Sequence, residues 1–234
     1  NVYIRGGGEN SVYFEDCKIS GNIYTEKTYG DNPVGLKLDN KTAQALKGTL
    51  YIRKNGADVI GLESGNATYL KQIVVDTDKL TTLDDLQADR VEIVAANADV
   101  KIPAGTVVKE LYVSDKGYGR IDLSGTIGKL QADNSITVKG NGRIDEKSGK
   151  VTVEQGVKIG VTNVTLDQTA LTLNVNEKAK LNETVKPDDA TTKTVTWKSD
   201  KPEIAEVDNN GNVTAKAAGT ATITATADGG KTAE

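Results

Sequence analysis

Hydrophobic and polar residues alternate through most of the chain, and clusters of turn-forming residues interrupt the alternation at short intervals. Alternation with a period of two sends successive side chains to opposite faces of a β-strand, so each segment has one apolar face. The pattern predicts an all-β protein. The spacing of the segments changes near residue 160, which divides the chain into residues 1–160 and residues 161–234.

The C-terminal part has the clearer alternation. Its turn-forming residues fall at 186–189, 199–202 and 208–211, and they separate short strands that each carry one apolar face. Most of the apolar residues of these strands lie at even spacing from the next one: Val164, Leu166, Leu171, Leu173, Val175, Leu181, Val185, Val195, Trp197, Ile204, Val207, Val213, Ile223 and Ala225. Strands of this kind with closely spaced turns predict a small β-sandwich.

Five motifs in this part occur in the order of a known family. They are a strand pair around Leu166 and Leu173, followed by segments 195–200, 204–208, 210–215 and 218–225. Through these motifs residues 161–234 resemble a bacterial immunoglobulin-like domain of group 2. The resemblance implies a spacer or adhesion module of bacterial surface proteins, also found in phage structural proteins. Family members usually end in a further valine-rich strand, so we expect this domain to lack its last strand and the chain to be a piece of a longer protein.

The N-terminal part shows self-similarity with a period near twenty residues. Four segments, 90–103, 110–123, 129–138 and 143–153, each contain a strand, a polar turn and a second strand. At spacings of 23, 20, 18 and 19 residues, equivalent positions are assigned to Leu50, Ile73, Ile93, Leu111 and Leu130. Such a repeat indicates a solenoid in which every repeat is one coil.

A coil of about twenty residues cannot bury its own apolar side, but stacked coils can. We therefore predict a parallel β-helix (β-solenoid) of roughly six to eight coils for residues 1–160. Seven glycines fall where the coil would change direction: Gly105, Gly117, Gly119, Gly125, Gly140, Gly142 and Gly149. More loosely, this part resembles the irregular right-handed β-helices of Gram-positive cell-surface and S-layer-associated proteins. A non-solenoid β-sandwich remains an alternative.

The first fifty residues fit the repeat worst. Gly6–Gly8 and residues 30–33 predict long loops. Residues 39–46 predict a short helix, and residues 81–88 predict a second one with Thr82 as its N-cap.

Composition excludes several classes of partner and of reaction. The 29 Lys and Arg residues face 33 Asp and Glu residues, giving a net charge of −4, and no block of five basic residues occurs. This argues against binding to nucleic acid or to an anionic membrane. The chain has no histidine, so a Ser-His-Asp triad, a Cys-His pair and a His-containing zinc site are impossible. We predict no catalytic, metal-binding or cofactor-binding residue.

Several residues nevertheless invite a functional interpretation. Asp76 and Asp78 alternate on one strand, with Asp84 and Asp85 nearby, and could bind calcium or act on a glycan. A solvated loop is the favoured interpretation, since acidic residues are mostly exposed. Segment 208–212 is similar to a calcium loop but lacks its bidentate Glu, so we interpret it as a hairpin turn.

The remaining candidates are Cys17, Trp197, the tyrosines and two glycine-rich segments. We predict a buried or half-buried structural role for the lone Cys17 and a core position for Trp197. Gly6–Gly8 and residues 140–142 lack the strand-to-helix setting of a phosphate-binding loop. Eight tyrosines precede residue 120, and they could form an exposed ladder for sugar rings or a protein partner, or serve only as good strand residues: Tyr3, Tyr13, Tyr24, Tyr29, Tyr51, Tyr69, Tyr112 and Tyr118.

The sequence thus predicts a non-catalytic fragment of an extracellular bacterial surface or secreted protein. In this hypothesis it acts in adhesion or cell-envelope architecture, binds glycan or a host or envelope protein, and adjoins other domains of a longer chain. One alternative is a polysaccharide-binding or polysaccharide-degrading β-helix module, because enzymes of this class are often β-helical. A phage or S-layer structural component is the third possibility.

Overall fold

The structure, a computed structural model, describes residues 1–5, 12–27, 32–61 and 68–234. These residues form two compact units, Asn1–Lys158 and Ile159–Glu234. The loops predicted at Gly6–Gly8 and at residues 30–31 lie outside the described residues, as does Tyr29.

The first unit contains fourteen strands in its described residues and one short helix. The strands are β1 (Val2–Ile4), β2 (Val12–Phe14), β3 (Ile23–Thr25), β4 (Val34–Leu38), β5 (Leu50–Arg53), β6 (Ala57–Gly61), β7 (Thr68–Asp76), β8 (Leu80–Asp84), β9 (Leu86–Ile93), β10 (Ala98–Ile102), β11 (Val107–Val113), β12 (Gly119–Leu123), β13 (Thr126–Gly140) and β14 (Arg143–Val153). Helix α1 (Asn40–Ala45) follows β4, and β15 (Lys158–Ile159) spans the unit boundary along the chain.

The strands of the first unit wind into a β-solenoid, which confirms the predicted fold. Odd-numbered strands β1 to β11 pair side by side in parallel, and even-numbered strands β2 to β12 do the same. The long strands β13 and β14 each continue from the first set into the second, with a register shift between Ala132 and Ile136. Counted over the described residues there are eight coils, within the predicted range.

Aliphatic columns fill the inside of the solenoid. One column is at most 1% exposed at every member, and it runs through Ile23, Leu50, Ile73, Val91, Leu111 and Leu130. The predicted equivalence was correct at four positions and wrong at Ile93, which stacks instead between Val75 and Val113. Val91 and Ile93 both point inward, so alternation alone cannot distinguish a slip of two residues.

One of the two predicted helices is present. Helix α1 lies within residues 39–46, and the Asp39 carboxylate caps it by accepting a hydrogen bond from Thr42 N at 2.8 Å. The helix predicted at 81–88 is wrong, because these residues belong to β8 and β9. Thr81 and Leu83 alternate into the interior at 0% exposure, and Asp85 turns the corner between the strands with φ of 49°.

Close packing of successive coils explains the glycine at position 119. Gly119 has φ of +149° and lies directly beside Ala98 of the preceding coil. A Cβ at this position would collide with the Ala98 carbonyl oxygen. The residue must therefore be glycine both for its backbone conformation and for the contact between coils.

The second unit is antiparallel. Its strands are β16 (Asn163–Leu166), β17 (Lys178–Lys180), β18 (Glu183–Lys186), β19 (Thr196–Ser199), β20 (Ala205–Val207), β21 (Asn212–Ala215), β22 (Ile223–Thr226) and β23 (Thr232–Ala233), with a 3-10 turn at Asp228–Gly230. Strand β16 pairs with β18, β21 lies between β17 and β20, and β22 lies between β19 and β23. The predicted strand around Leu166 is β16, whereas the segment around Leu173 forms no strand.

Candidate functional site

Three tyrosines form a ladder on the outer face of the solenoid. The parallel register aligns Tyr3, Tyr24 and Tyr51 on the first three coils. Their ring centroids lie 4.9 Å and 4.8 Å apart, and the planes are tilted by only 9° and 8°. In-register stacking of coils therefore turns a repeated residue type into a continuous aromatic stack.

Charged side chains cover the ladder from one side. The guanidinium carbon of Arg5 lies 5.4 Å from the centre of the Tyr3 ring, and that of Arg53 lies 5.0 Å from Tyr24 and 5.2 Å from Tyr51. Glu26 accepts from Arg53 at 3.3 Å and lies 3.9 Å from Arg5. The rings thus contact one another and guanidinium groups, and the Tyr24 hydroxyl accepts a hydrogen bond from Asn22 Nδ2 at 2.8 Å.

The other described tyrosines do not extend this ladder. Tyr112 lies in the same column, but Val74 and Glu92 separate it from Tyr51. Tyr69 donates a hydrogen bond to Asp89 from a different column. Tyr13, on the even-numbered strands, lies under the Lys37 ammonium at 4.9 Å, and Tyr118 precedes β12 at a turn. Of the seven tyrosines that the structure describes, it therefore brings three together.

Charges of opposite sign alternate from coil to coil, a feature that our sequence analysis missed. One column runs through Arg5, Glu26, Arg53 and Asp76, and another contains Arg90, Glu110, Lys129 and Glu146. Ion pairs join neighbouring coils at 3.5 Å for Arg90 with Glu110 and at 3.7 Å for Lys139 with Asp122. The signal was present in the sequence as sign reversal at intervals near twenty residues, but it becomes visible only once the register is known.

Two carboxylates outside these columns, Asp89 and Asp99, also pair with a cation of the next coil, which favours their charged form. Lys109 donates to Asp89 at 2.7 Å, which lowers the pKa of this carboxyl, and the hydrogen bond from Tyr69 lowers it further. A hydrogen bond from Arg120 likewise lowers the pKa of Asp99. These shifts arise from contacts between successive coils and indicate a structural role.

The acidic candidates are spread out. Asp76 lies 3.6 Å from the Arg53 Nε, and Asp78 lies 3.6 Å from the Lys79 ammonium. Asp84 and Asp85 stand at the end of β8 and at the following corner. Within residues 1–5, 12–27, 32–61 and 68–234, no group of three or more His, Cys, Asp or Glu side chains is arranged to hold a metal ion.

Cys17 is half-buried near helix α1. Its N–H donates to Thr42 Oγ1 at 3.0 Å, and its thiol donates to the Glu15 carbonyl at 3.3 Å. These contacts tie the segment after β2 to the helix.

In the second unit, segment 208–212 is a hairpin turn between β20 and β21. The Asp208 carboxylate accepts from Asn212 Nδ2 at 2.7 Å and from the backbone N–H groups of Asn210 at 2.8 Å and Asn212 at 2.9 Å, which together lower its pKa. Half-buried Trp197 packs against the apolar core of this unit: Val161, Val164, Val185, Ala190, Ala225 and Ala227.

The family model for the bacterial Ig-like domain of group 2 matches residues 160–234. This segment is a bacterial Ig-like domain. It contains an open slot with a volume of about 720 Å³, lined by apolar residues such as Leu171, Leu173 and Ile223 together with polar ones such as Gln168, Asn174 and Thr222. No aliphatic column of the kind found in the solenoid closes this space.

Curated relatives share parts of the chain. An α-L-arabinofuranosidase of Bifidobacterium longum is 38% identical over 130 residues, covering 53% of this chain and 12% of that protein. An Ig-like virion protein of Serratia phage KSP90 is 37% identical over 143 residues, covering 60% of this chain and 54% of that protein. A 3-O-α-D-galactosyl-α-L-arabinofuranosidase of Bifidobacterium longum is 44% identical over 71 residues, covering 30% of this chain and 6% of that protein.

Two of these matches reach beyond the Ig-like domain. The domain makes up about a third of the chain, whereas the matches cover 53% and 60%, so both include part of the first unit. The chain corresponds to about half of the virion protein and to a small part of the two enzymes. Among the described residues, no helix is long and apolar enough to cross a membrane.

Proposed function

We propose that the chain is a non-catalytic part of an extracellular bacterial surface or secreted protein that acts in adhesion or cell-envelope architecture. The Ig-like domain serves as a spacer, and the solenoid provides a stiff face for a glycan or an envelope protein. Neighbouring domains of a longer polypeptide are its other partners.

The observation that carries this proposal is the engagement of the outer side chains with one another. The tyrosine ladder Tyr3, Tyr24 and Tyr51 connects the first three coils, and ion pairs of the charge columns connect further pairs of neighbouring coils. Side chains arranged in this way stiffen a stack of coils and leave the surface nearly neutral. The chain also matches only 12% and 6% of the length of two differently named arabinofuranosidases, which supports a module that accompanies other domains.

Glycan-array binding and a product assay on the full chain test the proposal together. We expect binding to a glycan or envelope protein without release of reducing ends or unsaturated sugars. Tyr13→Ala removes the most exposed aromatic ring among the described residues, at 57%, and should reduce binding if the binding surface lies on the even-numbered strands. Tyr24→Ser removes the middle ring of the ladder and should reduce binding if the ladder forms that surface. Turnover of any polysaccharide would contradict the proposal.

A polysaccharide-binding or polysaccharide-degrading module is the second candidate, and the two arabinofuranosidases among the relatives favour it. It predicts measurable sugar release, and binding without turnover argues against the degrading form.

A phage or S-layer structural component is a third candidate, and the virion protein among the relatives favours it. Ordered self-assembly of the purified chain, seen by electron microscopy, would support it.

A further inference from the structure

Tyr118 differs from the other tyrosines that the structure describes. Each of the other six has a second ring, a cation or a carboxylate against its side chain: Tyr3, Tyr13, Tyr24, Tyr51, Tyr69 and Tyr112. Among the described residues, no ring, cation or hydrogen-bond partner engages the side chain of Tyr118, and the residue is 38% exposed. Contacts of the side chain within the solenoid therefore account for the other six tyrosines but not for this one.

The backbone of Tyr118 is held in place although its side chain is not. The residue lies outside the strands, at the end of turn 114–118 between β11 and β12, so strand propensity does not explain a tyrosine here. Its N–H donates to the Ala95 carbonyl at 3.1 Å, and its carbonyl accepts from Ala98 N at 2.8 Å. The preceding coil thus binds both polar groups of its backbone. From the following coil, Asn134 Nδ2 donates to the Asp115 carbonyl at 3.0 Å.

Gly117 ties the same turn down more tightly. Its N–H donates to the Ser114 carbonyl at 3.2 Å and to Ser114 Oγ at 3.1 Å. A Cβ at position 117 would collide with the Ile93 carbonyl oxygen of the preceding coil, so the turn packs directly against that coil. A ring on a fixed backbone loses little conformational entropy when a ligand packs against it.

The side chains around Tyr118 are polar and carry no net charge. The parallel register places exposed Asn97 opposite Tyr118 on the preceding coil and exposed Ser135 opposite it on the following coil. Neither of these two side chains has a hydrogen-bond partner among the described residues. Asp115 and Lys116, both exposed, add opposite charges to the turn. An amide and a hydroxyl therefore flank one unengaged aromatic ring.

We infer that Tyr118 is a glycan-contact residue and that its turn binds an uncharged sugar residue, an inference that rests on the proposed glycan-binding role of the solenoid. A sugar ring has a face of C–H groups that packs on the ring of Tyr118, while its hydroxyls exchange hydrogen bonds with Asn97 and Ser135. An acidic sugar gains no net attraction from Asp115 and Lys116. A wholly apolar ligand would leave the amide and the hydroxyl desolvated without partners.

Two substitutions of Tyr118 test the contact. Calorimetric titration of the full chain uses four uncharged polysaccharides as probes: arabinan, galactan, xylan and mannan. Tyr118→Ala should weaken binding about tenfold or more, because the ring supplies the central contact. Tyr118→Phe retains the ring and should bind within about threefold of the original protein. Since the side chain has no described partner, the melting temperature of both variants should change by less than about 2 °C.

Leu80→Ala is the matched control, because it removes a more exposed apolar side chain, at 45%, from the same solenoid and should leave the affinity unchanged. Equal affinities of the original protein and Tyr118→Ala overturn the inference and leave the proposed function in place. A chain that binds an envelope protein but none of the four polysaccharides also overturns the inference alone. A chain that binds neither overturns the proposed function as well.

Salt dependence tests the class of sugar. Affinity for the uncharged polysaccharide should change less than about twofold between about 0.05 M and about 0.5 M sodium chloride, because no ion pair forms with the ligand. Polygalacturonate, an acidic polysaccharide, should bind at least about tenfold more weakly. Tighter binding of polygalacturonate that is weakened both by salt and by Tyr118→Ala overturns the choice of an uncharged sugar.

Discussion

The solenoid and the Ig-like domain bury their apolar residues in different ways. Leu111 is 1% exposed inside the solenoid, with an aliphatic residue above it and another below it. In the Ig-like domain, Leu171 and Leu173 are half-buried, and Val175 is 51% exposed. The comparison teaches that a stacked repeat buries each inward residue between aliphatic neighbours of the adjacent coils, whereas apolar residues of a small sandwich that lie outside its strands stay partly exposed.

The largest expected effect comes from truncating a column residue. Leu111→Ala should destabilise the solenoid by about 2–5 kcal/mol, because it removes buried methyl groups and leaves a cavity. Leu173→Ala, beside the slot, should cost about 1 kcal/mol, since its side chain is already partly solvated. Denaturant unfolding measures both, with far-UV circular dichroism for the whole chain and Trp197, the only tryptophan, for the Ig-like domain. Similar losses at the two sites would contradict the contrast in packing.

The second effect separates contact between coils from backbone conformation. Gly119→Ala should cost more than about 2 kcal/mol, because the new methyl group meets the Ala98 carbonyl in addition to the strained φ. Gly230→Ala is the matched control in the Ig-like domain, where φ is +73° and nothing lies within 4 Å of the added carbon. It should cost about 1 kcal/mol. A smaller loss at Gly119 than at Gly230 would mean that the coils separate easily.

A third, smaller effect has opposite signs at two buried threonines of the solenoid. Thr81 is fully buried, and its hydroxyl has no hydrogen-bond partner. Thr81→Val should therefore stabilise by about 1 kcal/mol, because a desolvated polar group is removed. Thr106 Oγ1 donates to the Leu83 carbonyl at 2.8 Å, so Thr106→Val should destabilise by a similar amount. Thermal melts of the two variants must move in opposite directions.

The smallest effect is the pH dependence of two ion pairs between coils, Asp89 with Lys109 and Asp99 with Arg120. The pKa values of Asp89 and Asp99 are lowered by Lys109 and Arg120, so their stabilising contribution is present above the ordinary value of 3.8 and disappears as pH falls through the lowered values. With Lys109→Gln, the melting temperature should fall slightly less steeply as the pH is lowered, because Asp89 then has less stabilisation to lose. Melting from pH 5 to pH 2 measures this change. If the melting temperature of the variant falls with pH as steeply as that of the original protein, the pair of Asp89 and Lys109 does not contribute to stability.

Alternation was sufficient to predict the strands, because burial imposes a period of two on each of them. The solenoid was predicted from the repeat near twenty residues, and the Ig-like domain from its resemblance to a known family. Alternation failed at Ile93, because Val91 two residues earlier also points inward and is the residue that stacks between Ile73 and Leu111. It also failed at residues 81–88, where Asp84 and Asp85 suggested a helix start although Thr81 and Leu83 follow strand parity.

The candidate surface was harder to predict, since it depends on which coil lies next to which. Tyr3, Tyr24 and Tyr51 are separated by 21 and 27 residues, and irregular loops between them hide the common register from the sequence. The slot was not predicted either, because the alternation of Leu171 and Leu173 says nothing about whether a partner strand is present.

Charges alternate in sign along the column Arg5, Glu26, Arg53 and Asp76. Removal or insertion of coils here therefore keeps opposite charges next to each other only when the number of coils changed is even. Loss of the coil that carries Glu26 would bring two guanidinium groups face to face, whereas loss of two adjacent coils would restore an attractive neighbour. Growth or shortening of the solenoid by gene duplication or deletion is therefore electrostatically easiest in pairs of coils.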